Sequence, residues 1–208
     1  MSPKAGEPTR AEILAAASAL FAEHGYDGTS LRAIARASGV SQPLIHHHFG
    51  SKDELWSQVL ASIVESFASA QAPQFELGEG SEEFLERGLD ALLRWYQEDP
   101  DRIRLGLWAQ VRSDTTTWKE QAEQFARFAE FLGDASSKGV VRSDVPPFHL
   151  AMAISGMAYY WFAFKARYAA AGGVDPEDPR ADRAFFESLR TLLSAPPAPG
   201  DAARSTSR

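Results

Sequence analysis

Residues Gly25–Ser51 read GYDGTSLRAIARASGVSQPLIHHHFGS. Two short helical patterns lie in this stretch, Leu31 to Ser38 and Gln42 to Phe49, joined by Gly39-Val40-Ser41. That is the layout of a helix-turn-helix, whose second helix enters the major groove of DNA. Leu31, Ile34 and Ala35 make an inward face on the first helix, with Ala35 small where two helices cross closely. Gly39 supplies the left-handed conformation that a tight turn between helices requires. Val40 and Ile45 point back to the core, and Phe49 closes it against Leu20 and Phe21. Gln42, Pro43, Leu44, His46 and His47 are then left facing outward, with His48 partly packed. Glutamine can pair bidentately with adenine, and apolar side chains can rest on a thymine methyl group. Arg32 and Lys52 are placed for phosphates, and the start of the following helix offers backbone N–H groups to one. With Thr29 and Ser41 they complete the candidate DNA-contacting set: Thr29, Arg32, Ser41, Gln42, Pro43, Leu44, His46, His47 and Lys52.

The rest of the chain is also patterned for helices. Thr9 with Glu12 forms a capping box, and Ile13, Leu14, Ala17, Leu20 and Phe21 follow at helical spacing until Gly25 stops the run. Thr29 or Ser30 caps the second helix. Ser51 with Glu54 forms another capping box that opens a long helix to about Ala70. Residues Gln71 to Gly80 read as a loop, and Ser81 caps a helix to about Glu98. Asp99-Pro100 and Asp178-Pro179 each pair a cap with a helix-starting proline. Further helices are expected over about 116–138 and from Pro147 to Ala171. Strand signals are nearly absent. The expectation is an all-α chain of about nine helices. It comprises a three-helix DNA-binding domain over 1–52, a helical ligand-binding and dimerisation domain over 53–194, and a disordered tail over 195–208.

Composition narrows the function. The 208 residues carry a net charge of −7, which argues against a general polyanion binder. Residues 1–52, however, hold five Lys/Arg against four acids, and the remainder holds 16 against 24. A near-neutral reading head on an acidic body keeps phosphates off the wrong face. There is no cysteine, hence no disulfide or thiolate metal site. No secretion signal and no apolar run of spanning length is visible, so a cytoplasmic location without membrane attachment is expected. The triplet His46-His47-His48 is not expected to bind metal, because successive helical positions spread over about 200° of arc. No nucleophile elbow, phosphate-binding loop, zinc-protease or dinucleotide motif occurs, and His149 is the only histidine of the body. Neither an enzyme nor a cofactor is expected. A bare protein-binding adaptor would leave the outward Gln42-Pro43-Leu44 beside Arg32 and Lys52 unexplained.

The ordered set Thr29-Ser30-Leu31, Ile34-Ala35, Gly39-Val40-Ser41, Ile45, Phe49 and Ser51-Lys52-Asp53-Glu54-Leu55 resembles the signature of the TetR family of bacterial transcriptional regulators. The match covers roughly residues 9–56. The resemblance implies a homodimeric, ligand-controlled DNA-binding protein, usually a repressor. It also implies that the last two long helices, about 147–171 and 179–194, pair with their mates in a four-helix bundle. One position departs from the pattern: His46 stands where the family usually has a phosphate-gripping tyrosine.

The body is rich in aromatic residues. On the helix from Pro147, Met157, Trp161, Phe164 and Tyr168 form one stripe, and Tyr159 and Phe162 lie on another side. Ser155, Gly156 and Ala158 would permit close approach across a two-fold axis. The aromatics suggest a pocket for an apolar or flat effector, with Trp95, Trp108, Phe125, Phe128, Met157 and Trp161 as lining candidates and Arg104 and Gln110 as polar anchors.

Overall fold

A helical period in the sequence becomes a helix throughout. A computed structural model describes residues 10–75 and 82–194. Its helices are α1 (Arg10–Gly28), α2 (Leu31–Ser38), α3 (Gln42–Phe49), α4 (Lys52–Phe75), α5 (Glu82–Glu98), α6 (Asp101–Val111), α7 (Trp118–Ser137), α8 (Pro147–Tyr168) and α9 (Pro179–Leu193), with a short 3-10 turn over Ala169–Gly172. Among the described residues the one β pairing is a single bridge between Val141 and Ser194. The all-α reading holds. The capping roles of Thr9 and Ser81 and the tail over 195–208 lie outside the described residues.

The stops and starts follow the local chemistry. Ser30 caps α2, its hydroxyl accepting from the Ala33 N–H at 3.1 Å. Asp99 and Asp178 accept from the N–H groups of Asp101 and Arg180 at 3.0 and 2.9 Å. Gly25 turns the backbone out of the helix (φ 70°, ψ 177°), as expected of a stop, and a further helical turn carries α1 on to Gly28. α4 runs past its expected end near Ala70 and is helical as far as Phe75, the last residue described in that stretch.

Packing divides the chain into two compact units that do not follow sequence order. One takes the chain up to Ser69 together with Tyr96–Gln121; the other takes Ala70–Trp95 and the chain from Ala122. In the first unit, Ile13, Ala17 and Phe21 of α1 meet Ile34 of α2, Ile45 and Phe49 of α3, Leu55 and Trp56 of α4 and Leu105 of α6 in one buried core. Each large side chain so buried contributes about 1.5–3 kcal/mol. The helix-turn-helix is therefore held by α4 and α6 as well as by α1.

In the second unit, α5, α7, α8 and α9 contribute the buried apolar side chains, among them Leu92, Leu132, Ile154 and Leu189. Ala158 is fully buried here, so it is not part of a free close-approach face. Trp161 stacks on Phe185 with ring centroids 4.5 Å apart. Its indole N–H donates to the Asp182 carboxylate at 2.8 Å, and the Lys165 ammonium donates to the same oxygen at 2.7 Å. The end of α9 is tied down by Arg142. Its backbone N–H donates to the Leu193 carbonyl at 2.9 Å, and its guanidinium to the Leu192 carbonyl at 3.2 Å.

Candidate nucleic-acid interface

The two faces of α3 differ completely. Ile45 and Phe49 are buried, whereas Gln42, Pro43, His46 and His47 are exposed and Leu44 is partly so. Gly39 (φ 72°) makes the left-handed turn before α3, and its N–H satisfies the Ala35 carbonyl. Ser41 stands at the N-cap position in extended conformation, but its hydroxyl makes no capping bond. It is exposed and keeps its donor. Arg32 and Arg36 lie four residues apart on α2, exposed and without a carboxylate partner among the described residues. Arg36 was missed in the sequence, although i, i+4 spacing puts it on the face of Arg32.

Two expectations change here, and one gains a detail. Thr29 is buried, and its hydroxyl is committed to the Leu20 and Gly25 carbonyls at 3.0 and 2.8 Å. It locks the turn between α1 and α2, and its hydroxyl is not free on the surface. His48 is exposed rather than partly packed. His46 is exposed as expected, but its Nδ1 lies 2.7 Å from the Gly50 carbonyl oxygen. A carbonyl only accepts, so Nδ1 carries the proton and Nε2 points away as the free position.

The junction after α3 is tightly specified. Gly50 has φ 76° and ψ −110°, a region that only glycine enters readily. Ser51 and Glu54 form the expected capping box: the Ser51 N–H donates to Glu54 at 2.6 Å and the Glu54 N–H to the Ser51 hydroxyl at 3.1 Å. The bonds from the Ser51 backbone, and then from its side chain, hold the Glu54 carboxyl below the usual carboxylate range. A Cβ on Gly50 would collide with that carboxylate. Gly50→Ala is expected to destabilise the fold by about 1–3 kcal/mol, read as a lowered urea midpoint.

Behind the junction lies a cluster with no sequence signal. The Tyr26 hydroxyl donates to Asp53 at 2.7 Å, and the Lys52 ammonium sits 4.0 Å from the Tyr26 ring centroid. The Arg112 guanidinium lies 3.6 Å from the same centroid and within 3.8 Å of Asp53 and 3.9 Å of Asp27. Burial, then the hydrogen bond and charge of Asp53, push the Tyr26 hydroxyl up to about 12, so it stays a donor. Trp56, almost fully buried, donates its indole N–H to Asp114 at 2.7 Å. Burial pushes the Asp114 carboxyl up. The bonds from Thr116 and Trp56 and the charge of Arg112 outweigh it and hold the group below its ordinary value.

The six pocket candidates are divided between the two units. Trp108 belongs to the first unit, where its indole N–H donates to the Ala22 carbonyl at 3.3 Å and its ring covers Gly25. It is part of the core that supports the reading helices. Arg104 pairs with Asp101 at 3.1 Å on the surface, and Gln110 is exposed, so neither anchors a buried ligand. Trp161 is engaged by α9 through Phe185 and Asp182. In the second unit Trp95 is buried, and Phe125, Phe128 and Met157 are partly buried. Among the described residues no helix is long and apolar enough to cross a membrane, and no group of three or more His, Cys, Asp or Glu is placed to hold a metal ion.

Residues 13–59 match the family model for bacterial regulatory proteins of the tetR family, and residues 88–189 match the tetracyclin repressor-like C-terminal domain. The chain is 35% identical over 158 residues to the HTH-type transcriptional repressor AcnR of Corynebacterium glutamicum, covering 70% of this chain and 77% of that protein. The chain belongs to the TetR family. The AcnR repressor of Corynebacterium efficiens is 34% identical over 147 residues, covering 66% of this chain and 71% of its own length. In architecture, this TetR-family chain resembles the regulator PfmR of Thermus thermophilus, with a TM-score of 0.68 at 23% identity over 86% of this chain and 97% of that one. Members of the family are DNA-binding transcriptional regulators rather than enzymes.

Proposed function

We propose that this TetR-family regulator is a homodimeric repressor that reads a palindromic operator with α3 and is released from it by a small apolar or aromatic effector. The observation that carries the reading is the two-faced α3. Its inner residues are fixed in the core, and its outer row leaves Gln42, Pro43 and Leu44 to meet base edges and His46 and His47 to meet the DNA backbone. Arg32, Ser41 and Lys52 supply backbone contacts, and Arg36 joins them. The two AcnR relatives are named repressors, which supports the sign of regulation. The reading function lies within residues 1–52 and the effector and dimer functions within 53–194, in a protein that works in the cytoplasm beside its DNA.

The dimer is assigned to α8 and α9. Phe148, Met152, Tyr160 and Tyr168 are exposed at multiples of four residues along α8, with the exposed Gly156 among them, and Leu192 is exposed on α9. Such a row forms a ridge that a second helix can pack against. Trp161 lies off this row and is stacked on Phe185 of α9. Met152→Asp is expected to raise the dimer dissociation constant about 100-fold, because it places a charge in a face that must desolvate. Sedimentation across a dilution series checks this.

The effector is assigned to the second unit, among Trp95, Phe125, Phe128 and Met157. α4, α5 and α7 each have residues in both units, so a displacement at the effector can travel along continuous helices. A 100-fold coupling needs only about 2.7 kcal/mol. The experiment that tests the whole reading is selection of bound sequences from a random duplex library. Recovery of one palindrome of about 14–20 base pairs supports it. Recovery of unrelated sequences at background level overturns it.

A further inference from the structure

We propose that Tyr26 is a positioning residue for operator binding: its ring holds the Lys52 ammonium where a DNA phosphate can take it, while Arg112 occupies the carboxylates that would otherwise capture that ammonium. The inference rests on the reading of α3 and Lys52 as DNA-facing.

Lys52 is the first residue of α4, directly after the Gly50-Ser51 junction that follows the reading helix. A lysine there has four rotatable bonds, and its strongly hydrated head has no reason to stay in one place. Two carboxylates are close at hand. Asp53 is its neighbour in sequence, and Asp27 shares Arg112 with Asp53. An ion pair with either would cancel the charge a phosphate needs. No carboxylate pairs with Lys52 among the described residues; its Nζ rests 4.0 Å from the Tyr26 ring centroid instead. The face of an aromatic ring attracts a cation without neutralising it. The ammonium therefore keeps its charge and its outward donors.

The ring itself is held from several sides. Phe21 lies parallel to it at 6.0 Å, Trp56 meets it edge-on at 5.9 Å, and its hydroxyl donates to Asp53 at 2.7 Å. Arg112 then closes the cluster from the end of α6. Its guanidinium lies 3.6 Å from the ring centroid and within 3.9 Å of both Asp27 and Asp53. Four charges share the site: Lys52 and Arg112 against Asp27 and Asp53. With Arg112 on the carboxylates, Lys52 is the cation left for DNA.

The test uses the full-length protein and a duplex recovered by selection with the wild type. Each phosphate contact contributes about 0.9 to the slope of log affinity against log salt. Lys52→Ala is expected to lower that slope by about 0.9 per protomer. Tyr26→Leu removes no charge yet is expected to lower it equally, and Tyr26→Leu/Lys52→Ala no further than either alone. Tyr26→Phe keeps the ring and keeps the slope. Arg112→Gln is expected to lower the slope as well, without adding to Lys52→Ala, and serves if Tyr26→Leu fails to fold by circular dichroism. A folded Tyr26→Leu with the wild-type slope, or losses from Tyr26→Leu or Arg112→Gln that add to Lys52→Ala, overturns the inference while leaving the DNA reading intact. A wild type whose duplex binding ignores salt overturns the DNA reading itself.

Discussion

Gln42→Ala is expected to weaken binding to the selected duplex by about 2–6 kcal/mol, with no change in thermal stability. A bidentate amide–adenine contact is worth about 1–3 kcal/mol of discrimination, and a two-fold dimer makes it twice. Gln42 is exposed at the start of α3 and takes no part in the core, so truncating it removes a contact and nothing else. Fluorescence anisotropy on the selected duplex measures the loss. The loss should shrink on duplexes altered at one symmetric pair of positions, because a missing base contact relaxes specificity there. Arg32→Ala should behave differently, weakening all duplexes alike and lowering the salt slope.

The second large effect lies in α9. Asp182→Ala is expected to cost about 3–5 kcal/mol, the usual result of removing one partner of a buried ion pair. Asp182 is only 3% exposed, and one of its oxygens takes both the Trp161 indole and the Lys165 ammonium. Its loss leaves the Lys165 cation, itself only 21% exposed, beside an unpaired indole N–H. Replacing the pair together, as Asp182→Leu with Lys165→Met, should recover much of the loss, since no buried charge then remains. Urea unfolding of the single and double variants at one protein concentration reads both. If α8 and α9 form the dimer face, the Asp182→Ala protein should also dissociate at higher concentration than the wild type.

Much of the fold was legible because its signals are local. Ser30, Gly39, Ser51 with Glu54 and Asp178-Pro179 each settle a helix end within a few residues, and the apolar spacing of α2 and α3 settles which side goes in. The outward row of α3 was legible for the same reason: an eight-residue helix with Ile45 and Phe49 buried has only one other side. What stayed hidden depends on residues far apart in the chain. Nothing near Trp108 shows that it covers Gly25. Nothing near Trp56 shows that its indole meets Asp114. Trp108 looks like a candidate for a ligand pocket until packing places it, with Trp56, in the core around the reading helices. Thr29 misled for a different reason. A threonine before a helix fits a cap, a phosphate contact or a buried turn equally well, and the Leu20 carbonyl that decides the matter lies on α1. Trp161 belonged to a plausible apolar stripe, but the acid that claims its N–H is on another helix.

The central claim is that the outer face of α3 reads base sequence. The most direct test is the affinity of the wild-type protein for the selected duplex and for a scrambled duplex of the same length and composition, measured at one salt concentration. The selected duplex is expected to bind at least about 10³-fold more tightly, the lower end for specific regulators. Equal affinity for the two duplexes would contradict it, because charge alone would then explain the binding.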